Sequence, residues 1–177
     1  MIALLFDTET DGLVENHVIP LDRQPHIIEW YSCVADLSTG EVLDELDLLI
    51  RPSAPISEDI TRITHITNEM LEGKPRFLEV APQIMSAILK APMAIAHNAS
   101  FDQEMLQLEF ERIGLNLVWP PLLCTVEQTI HLKGFRLSLT ALHEHLFGEP
   151  FPEAHRAKSD VQALLRCCVE LHKRGGL

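Results

Sequence analysis

Residues 2–12 read IALLFDTETDG, an apolar run that ends in alternating carboxylates. Such a continuous apolar run is typical of a central β-strand covered on both faces. Asp7 and Glu9 follow it at positions i and i+2, so in an extended chain both side chains point to one face. Neighbouring carboxylates at the end of a buried strand repel each other, so one must take a proton or a cation must lie between them. A polar turn at Asp11-Gly12 is the alternative, and this pair alone does not decide.

Strand and helix patterns alternate along the rest of the chain. We predict strands over 2–6, 26–37, 41–50, 93–97 and 117–125. We predict helices over 57–71, 78–90, 100–113, 126–132, 138–147 and 157–174. The helix over 78–90 has an apolar stripe of Leu78, Ala81, Ile84, Met85, Ile88 and Leu89. An initial hairpin followed by alternating strands and helices predicts an α/β fold with a mixed sheet.

Length and composition set the broad class of protein. At 177 residues, the chain has the length of one domain, and we expect a single domain over 1–177. No apolar run approaches the length of a membrane span, and the apolar N-terminal run is too short for a signal peptide, so we expect a soluble cytoplasmic protein. The four cysteines form no C-x-x-C pair. Buried thiols are therefore a better interpretation than a zinc site or a disulfide framework.

Asp102 is a carboxylate on an apolar helix face. Ser100 is predicted to be the N-cap of the helix over 100–113, with Gln103 completing a capping-box pattern. An acid near a helix N-terminus interacts favourably with the helix dipole. This accounts for the position of Asp102 in the first turns of the helix, but not for the face of the helix on which it lies. That face is shared with Leu106, Phe110 and Ile113, four, eight and eleven residues further on. The pattern therefore predicts that Asp102 faces the core.

Asp160 repeats this anomaly in the last helix, where it lies one turn before Leu164. A buried carboxylate is usually paired or bound to a metal. Pairing with Arg156 or Lys158 is the structural alternative to a metal site. His155 precedes Asp160 by five residues, which on one helix would turn the chain by about 500° and separate the two side chains. They converge only if His155 belongs to the preceding loop, which its prolines favour.

Three segments carry a resemblance to a known family. They are FDTETDGL at 6–13, HNASFD at 97–102, and HRA at 155–157 with Asp160. In this order they resemble the three motifs of the DEDDh 3′–5′ exonucleases, which are DnaQ-like proofreading and repair enzymes. The resemblance spans residues 2–172. It implies a ribonuclease H-like fold, in which a mixed five-stranded sheet has helices on both faces.

Between the motifs, THIT at 64–67, KP at 74–75 and CT at 124–125 look most like the exodeoxyribonuclease X branch of that family. Two positions depart from the family pattern. Asp11 stands where the family usually has Thr, and Ile66 stands where many members have Gly. Neither departure removes a metal ligand, but Asp11 adds negative charge close to the expected position of the terminal nucleotide.

The resemblance also implies roles for individual residues. The catalytic set would be Asp7, Glu9, Asp102, His155 and Asp160. Its four carboxylates would coordinate two divalent cations, with Asp7 bridging them, and hard oxygen ligands favour Mg²⁺ or Mn²⁺ over zinc. His155 would be the general base. Contacts to the terminal nucleotide would come from Thr10, Gly12, Leu13, His97, Asn98 and Phe101, although Phe101 is first of all expected to be a core residue.

The expected partner is a DNA 3′ end, either single-stranded or frayed, and no membrane is expected. A net charge of −12 is unfavourable for gripping a long duplex, but it suits an enzyme that holds only a chain end beside bound cations. Lys133, Arg136, Arg156 and Lys158 are the basic residues that would guide the phosphates, with a solvated surface as the alternative for Lys133. RNA trimming, a non-catalytic polymerase-associated module and a histidine-based zinc enzyme stay open as alternatives. The zinc enzyme lacks any ligand spacing.

Overall fold

One mixed sheet of five strands forms the centre of the molecule. In this computed structural model, the structure describes residues 1–14, 18–151 and 155–177. The strands are β1 (Ile2–Thr10), β2 (Ile27–Asp36), β3 (Glu41–Leu49), β4 (Ala94–Ala96) and β5 (Leu122–Cys124). Their order in the sheet is β3-β2-β1-β4-β5. The β1–β2 and β2–β3 pairs are antiparallel, whereas the β1–β4 and β4–β5 pairs are parallel. The predicted mixed five-stranded sheet is therefore confirmed.

Within the described residues, seven α-helices follow or connect these strands. They are α1 (Glu58–Thr64), α2 (Asn68–Leu71), α3 (Phe77–Ile88), α4 (Ala99–Arg112), α5 (Thr125–Lys133), α6 (Leu139–Phe147) and α7 (Ala157–Lys173). The single helix predicted over 57–71 is wrong. His65 ends α1 in the left-handed conformation at φ 58°, and the Thr67 side chain then caps α2. No helix among the described residues is long and apolar enough to cross a membrane.

Strand β1 continues four residues beyond its predicted end at Phe6. Its partner β2 keeps pairing with it as far as Thr10, which lies opposite Ile27. The acids Asp7 and Glu9 are therefore part of the strand itself, on one face of the sheet. Strand β5, in contrast, is shorter than the predicted span of 117–125, because Pro120 and Pro121 precede it and proline cannot donate to a strand ladder.

Helices cover both faces of the sheet, as expected. On one face, α3 and α4 bury a core with side chains such as Phe6, Trp30 and Phe110. On the other face, α7 packs its inward stripe, including Val161 and Leu164, against Leu5. The predicted stripe of α3 is wrong at both ends, since Leu78 and Leu89 are exposed and Phe77, Val80 and Ala87 are buried.

The parallel neighbour of β1 is much shorter than β1. Strand β4 pairs only with Leu4 and Leu5, so no strand among the described residues lies beside the second half of β1 on that side. Backbone N–H groups that point toward this gap need other partners. The gap lies at the carboxyl ends of β1 and β4, and polar residues lie at or just after the end of each strand.

Candidate active site

Three of the predicted catalytic acids meet at the end of β1. Carboxylate oxygens of Asp7, Glu9 and Asp160 all lie within 4.8 Å of one another. Asp7 and Glu9 come from β1, and Asp160 comes from the first turns of α7, which packs on that face of the sheet. All three residues are half-buried. Among the described residues, this is the one group of His, Cys, Asp and Glu side chains with the spacing of a metal site.

Asp102 reaches the same strand from the opposite layer. It is buried near the start of α4, and its Oδ1 accepts hydrogen bonds from the backbone N of Thr8 at 3.0 Å and from Thr8 Oγ1 at 2.7 Å. This backbone N–H belongs to the part of β1 that β4 leaves without a neighbour. Asp102 therefore satisfies the exposed strand edge, and Thr8 places it next to Asp7.

The pKa values of all four carboxyl groups are raised. Burial is the largest cause in each case, and it raises the pKa of Glu9 to about 8, of Asp102 to about 7 and of Asp160 to about 6. The pKa of Asp7 also lies well above its usual range, because of burial and then of the charges on Asp102, Asp160 and Glu9. Such a cluster of oxygen donors, which is destabilised by its own charge, fits hard divalent cations.

His155 lies in the loop before α7, as predicted. The residue is exposed and lies at the edge of the site. Its backbone adopts the left-handed conformation at φ 70°. Its backbone N donates to Asp160 Oδ2 at 3.1 Å. The loop residue thus holds one oxygen of a predicted metal ligand.

Among the described residues, Arg156 and Lys158 form their ion pairs with acids other than Asp160. The guanidinium of Arg156 binds Glu29, with Nη2 at 2.6 Å from Oε1. Lys158 lies 3.6 Å from Glu45 and over the Tyr31 ring. Because both cations are engaged within the chain, the prediction that they guide substrate phosphates loses its main support.

The residues predicted to contact a nucleotide after β1 border the same site. Thr10 is buried and its Oγ1 donates to Gly12 O at 2.7 Å, while Leu13 is 77% exposed. A Cβ on Gly12 would lie 3.5 Å from Pro25 Cβ, which is an ordinary contact. Asp11 accepts a hydrogen bond of 2.6 Å from His26 N, so the residue that departs from the family pattern fastens the loop before β2.

The second predicted nucleotide-binding segment lies between β4 and α4. His97 is held by the protein through both ring nitrogens, by Thr125 Oγ1 at 2.9 Å and Leu137 O at 3.1 Å, and burial lowers its pKa to about 4. Asn98 is exposed and accepts from Arg136 at 3.1 Å. Phe101 is partly buried against the core. A nucleotide contact of His97 would therefore use a carbon edge of the ring or displace one of these bonds.

The start of α4 differs from the prediction. Asn98, at φ 64°, is the N-cap, whereas the predicted N-cap Ser100 lies inside the helix and is exposed. Asn98 makes no side-chain capping bond. The earlier start leaves Asp102 in the first turns of the helix, with its side chain toward β1.

Comparison with known proteins agrees with this geometry. A family model for exonucleases, RNase_T, matches residues 4–167, which is most of the chain. The chain belongs to this exonuclease family.

Relatives of this exonuclease domain include bacterial polymerase components. It is 36% identical over 178 positions to the PolC-type DNA polymerase III of Thermotoga petrophila, covering 97% of the chain and 13% of that protein. It is 32% identical over 176 positions to the DNA polymerase III subunit epsilon of Treponema pallidum, covering 94% of the chain and 72% of the subunit. The chain thus spans only 8–13% of the PolC-type relatives.

Solved structures show the same fold. Exonuclease X in complex with 5′ overhanging duplex DNA superposes with a TM-score of 0.70 at 26% identity, covering 98% of this chain and 93% of that one. The nuclease domain of 3′hExo, a DEDDh family member bound to rAMP, superposes with a TM-score of 0.80 at 17% identity, covering 98% and 92% of the two chains. The second likeness shows the shared ribonuclease H-like fold. Exonucleases of the DEDDh family generally use divalent metals, and the exonuclease domain described here has the acidic cluster for them.

Sequence reasoning missed two residues of this exonuclease site. The predicted set does not include Thr8, which lies between Asp7 and Glu9. Its hydroxyl and its backbone N–H both donate to Asp102. Glu29 was overlooked as well, although a single carboxylate within the apolar stretch IIEWY at 27–31 is itself a signal. A charged residue inside an otherwise buried strand is usually paired or functional.

Proposed function

We propose that this chain is a metal-dependent 3′–5′ exonuclease that hydrolyses DNA from the 3′ end to nucleoside 5′-monophosphates in repair or proofreading. The observation that carries the proposal is the meeting of Asp7, Glu9 and Asp160 within 4.8 Å, with Asp102 fastened beside Asp7 by Thr8. Carboxylates held this close repel one another, and bound divalent cations would offset that repulsion. Membership of the exonuclease family supports the same conclusion.

The four acids Asp7, Glu9, Asp102 and Asp160 would hold two Mg²⁺ or Mn²⁺ ions. When bound, such ions supply a nucleophile from water at neutral pH and offset charge on the departing 3′ oxygen. The protein's part is to fix the acids before substrate arrives. Thr8 fixes Asp102, and the backbone N of His155 fixes Asp160.

His155 is proposed as the general base. The residue is exposed next to Asp160, and histidine is the side chain that most often acts as a general base. The imidazole would take a proton from the attacking water through whichever ring nitrogen is unprotonated. The left-handed backbone of His155 places this residue outside α7, so that it can lie on the same side as Asp160.

DNA is the proposed substrate because the relatives at 30% identity or above are DNA polymerase components and exonuclease X was solved with duplex DNA. The exposed Leu13 would lie against the terminal base, and Gly12 would allow the backbone to approach it. RNA trimming uses the same chemistry, so only a comparison of the rates on DNA and RNA distinguishes the two activities.

The test is digestion of a 5′-labelled DNA oligonucleotide and its RNA counterpart with Mg²⁺, Mn²⁺ or EDTA. We expect a ladder that shortens from the 3′ end, release of nucleoside 5′-monophosphates, no reaction in EDTA, and a faster rate on DNA. Faster digestion of RNA would indicate that RNA, and not DNA, is the substrate. Tight binding of the oligonucleotide without any product in Mg²⁺ or Mn²⁺ would favour a non-catalytic binding module instead.

A further inference from the structure

Glu29 is a fifth acid beside the proposed catalytic centre. It lies on β2 directly opposite Glu9 of β1 and is 1% exposed. Residues that face each other across antiparallel strands share one side of the sheet, and like charges there destabilise the pair. A buried carboxylate in this position therefore needs strong hydrogen-bond or ion-pair partners.

That partner is the start of α7. Arg156 donates to Glu29 through Nε, at 3.1 Å from Oε1 and 3.2 Å from Oε2, and through Nη2, at 2.6 Å from Oε1. The backbone N of Ala157 donates to Oε2 at 2.9 Å. Both oxygens of Glu29 are thus engaged by donors, which leaves this carboxylate poorly suited to bind a cation and distinguishes it from Glu9.

Glu29 also caps α7 from a different element. Arg156 is the N-cap residue, but its own side chain makes no capping bond. Ala157 N is one of the unpaired donors at the start of the helix, and the Glu29 carboxylate satisfies it. The first turn of α7 is therefore joined to the sheet at one point by a charged pair and a cap together.

This joint lies between the two predicted catalytic residues of the third motif. Arg156 is the residue after His155, and its carbonyl accepts from Asp160 N at 3.0 Å. Asp160 in turn holds His155 N. Since these bonds form one closed turn, a displacement of Arg156 from Glu29 would shift His155 and Asp160 away from Asp7 and Glu9.

We propose that the Arg156–Glu29 pair is a positioning device that sets the proposed base and the α7 metal ligand against the acids of β1. The inference rests on the proposed function and deepens it. Arg156 acts through its neighbours, and neither it nor Glu29 contacts the reacting atoms. Lys158 forms a second link from the same turn, to Glu45 and Asp47 on β3, but these side chains are nearly half exposed and such pairs contribute little.

The test compares Arg156→Gln and Arg156→Lys with matched controls. Arg174→Gln removes an Arg–Glu pair at the far end of the same helix, and Leu171→Ala destabilises α7 without touching the site. Each variant is measured for kcat and KM on the DNA oligonucleotide, for Mn²⁺ affinity by electron paramagnetic resonance, and for its melting temperature. Mn²⁺ affinity reads the position of the acids without any need for activity.

For Arg156→Gln we expect kcat to fall and Mn²⁺ affinity to weaken by about 10–100-fold each, as for other residues that orient metal ligands. KM should change much less than kcat. Arg156→Lys should recover part of both losses, because lysine keeps the charge but not the two-pronged contact. Arg174→Gln should match the wild type, and Leu171→Ala should lower the melting temperature with kcat per folded molecule and Mn²⁺ affinity unchanged.

The inference is overturned if Arg156→Gln loses stability but keeps the wild-type kcat and Mn²⁺ affinity, as Leu171→Ala would. If Arg156→Gln does not fold, wild-type values for Arg156→Lys overturn it. Failure of the proposed function has a different signature, which is a wild-type chain that releases no nucleotide. In that case weaker Mn²⁺ binding by Arg156→Gln still supports the positioning role.

Discussion

At the scale of single residues, the acids of the site work against the stability of the metal-free chain. Burial is the largest cause that raises the pKa values of Asp7, Glu9 and Asp160, and nearby carboxylates raise them further, so ionising these acids costs more in the folded chain than in the unfolded chain. Residues kept under such conditions are commonly functional, since natural sequences tolerate this cost where chemistry needs it. Replacing one of them should therefore separate activity from stability.

Asp7→Asn should abolish most nucleotide release and stabilise the fold without metal. We expect the rate to fall by about 10³-fold or more, because a metal ligand accounts for several kcal/mol of transition-state stabilisation. In EDTA the melting temperature should rise, since a buried repulsive charge is removed. Asp59→Asn, at an exposed acid of α1, is the control and should change neither quantity. A lower melting temperature for Asp7→Asn in EDTA would contradict the electrostatic account.

His155→Ala tests the proposed base separately from the metal site. The rate should fall by about 10²–10⁴-fold, the usual contribution of a general base. Mn²⁺ affinity should stay close to that of the wild type, because the bond to Asp160 comes from the backbone N of residue 155 and not from its ring. His131→Ala, at an exposed residue of α5, is the matched control. A loss of Mn²⁺ affinity as large as the loss of rate would indicate that His155 positions the metal ligands and does not act as the base.

At the scale of elements, the site depends on unequal strand lengths. The pairing of β4 with β1 ends at Leu5, and β1 continues as far as Thr10. The free edge of β1 lets Asp102 of α4 bind the N–H and hydroxyl of Thr8. If β4 were longer, a strand would occupy the position of this carboxylate.

Thr8→Val should loosen the junction between β1 and α4. It removes the hydroxyl bond to Asp102 but leaves the backbone bond, so a buried acceptor loses one donor at a cost of about 1–3 kcal/mol in the free energy of unfolding. Activity should fall by about 10-fold or more, as for other partners of metal ligands. Thr8→Ser keeps the hydroxyl and should retain both quantities. Urea unfolding and the oligonucleotide digest measure them, and wild-type activity in Thr8→Val would refute this role of Thr8.

At the scale of the whole molecule, the site forms only where two helical layers meet one strand. Asp102 comes from the α4 layer and Asp160 from the α7 layer, on opposite faces of the sheet. The core on each face therefore determines the distance between the acids. With a net charge of −12, the chain adds no general attraction for phosphate, so in the proposed function cations bound at this junction would supply it.

The pH dependence of stability should differ with and without divalent cation. The folded-state pKa values of Asp160, Asp102 and Glu9 are raised to about 6, 7 and 8, above the unfolded values near 4. The folded chain therefore binds more protons, and this contribution to stability is full below about pH 4 and lost as the pH rises through 6–8. Mg²⁺ competes with these protons, so its stabilising effect should grow over the same interval.

Thermal melts at pH 5–8 in EDTA and in Mg²⁺ measure this difference. At a Mg²⁺ concentration about 100 times its dissociation constant, the melting temperature should rise by roughly 5–10 °C. The rise should be larger at pH 8 than at pH 5, and smaller in Asp7→Asn at every pH. A rise that does not depend on pH would place the bound Mg²⁺ elsewhere on the chain.

Local patterns were sufficient to predict most elements. The helix predicted over 157–174, from the apolar spacing between Val161 and His172, ends within a residue of the observed end of α7 at Lys173, and the side of α4 that carries Leu106 and Phe110 correctly placed Asp102 inward. Errors arose where tertiary contacts decide. The N-cap of α4 is Asn98 because the chain turns sharply after β4, and β1 is extended through its acids because β2 pairs with it.

The sequence by itself determined the α/β fold class, the buried first strand, and which carboxylates stand where apolar residues are expected, because periodicity and charge are local properties of the chain. Only the tertiary structure decided which partners they meet. It joined Thr8 to Asp102 across 94 positions and Glu29 to Arg156 across 127. The physical reason is that a hydrogen bond or ion pair between distant residues depends on where strands end and how layers pack. The spacing of residue types along the chain does not determine these geometries.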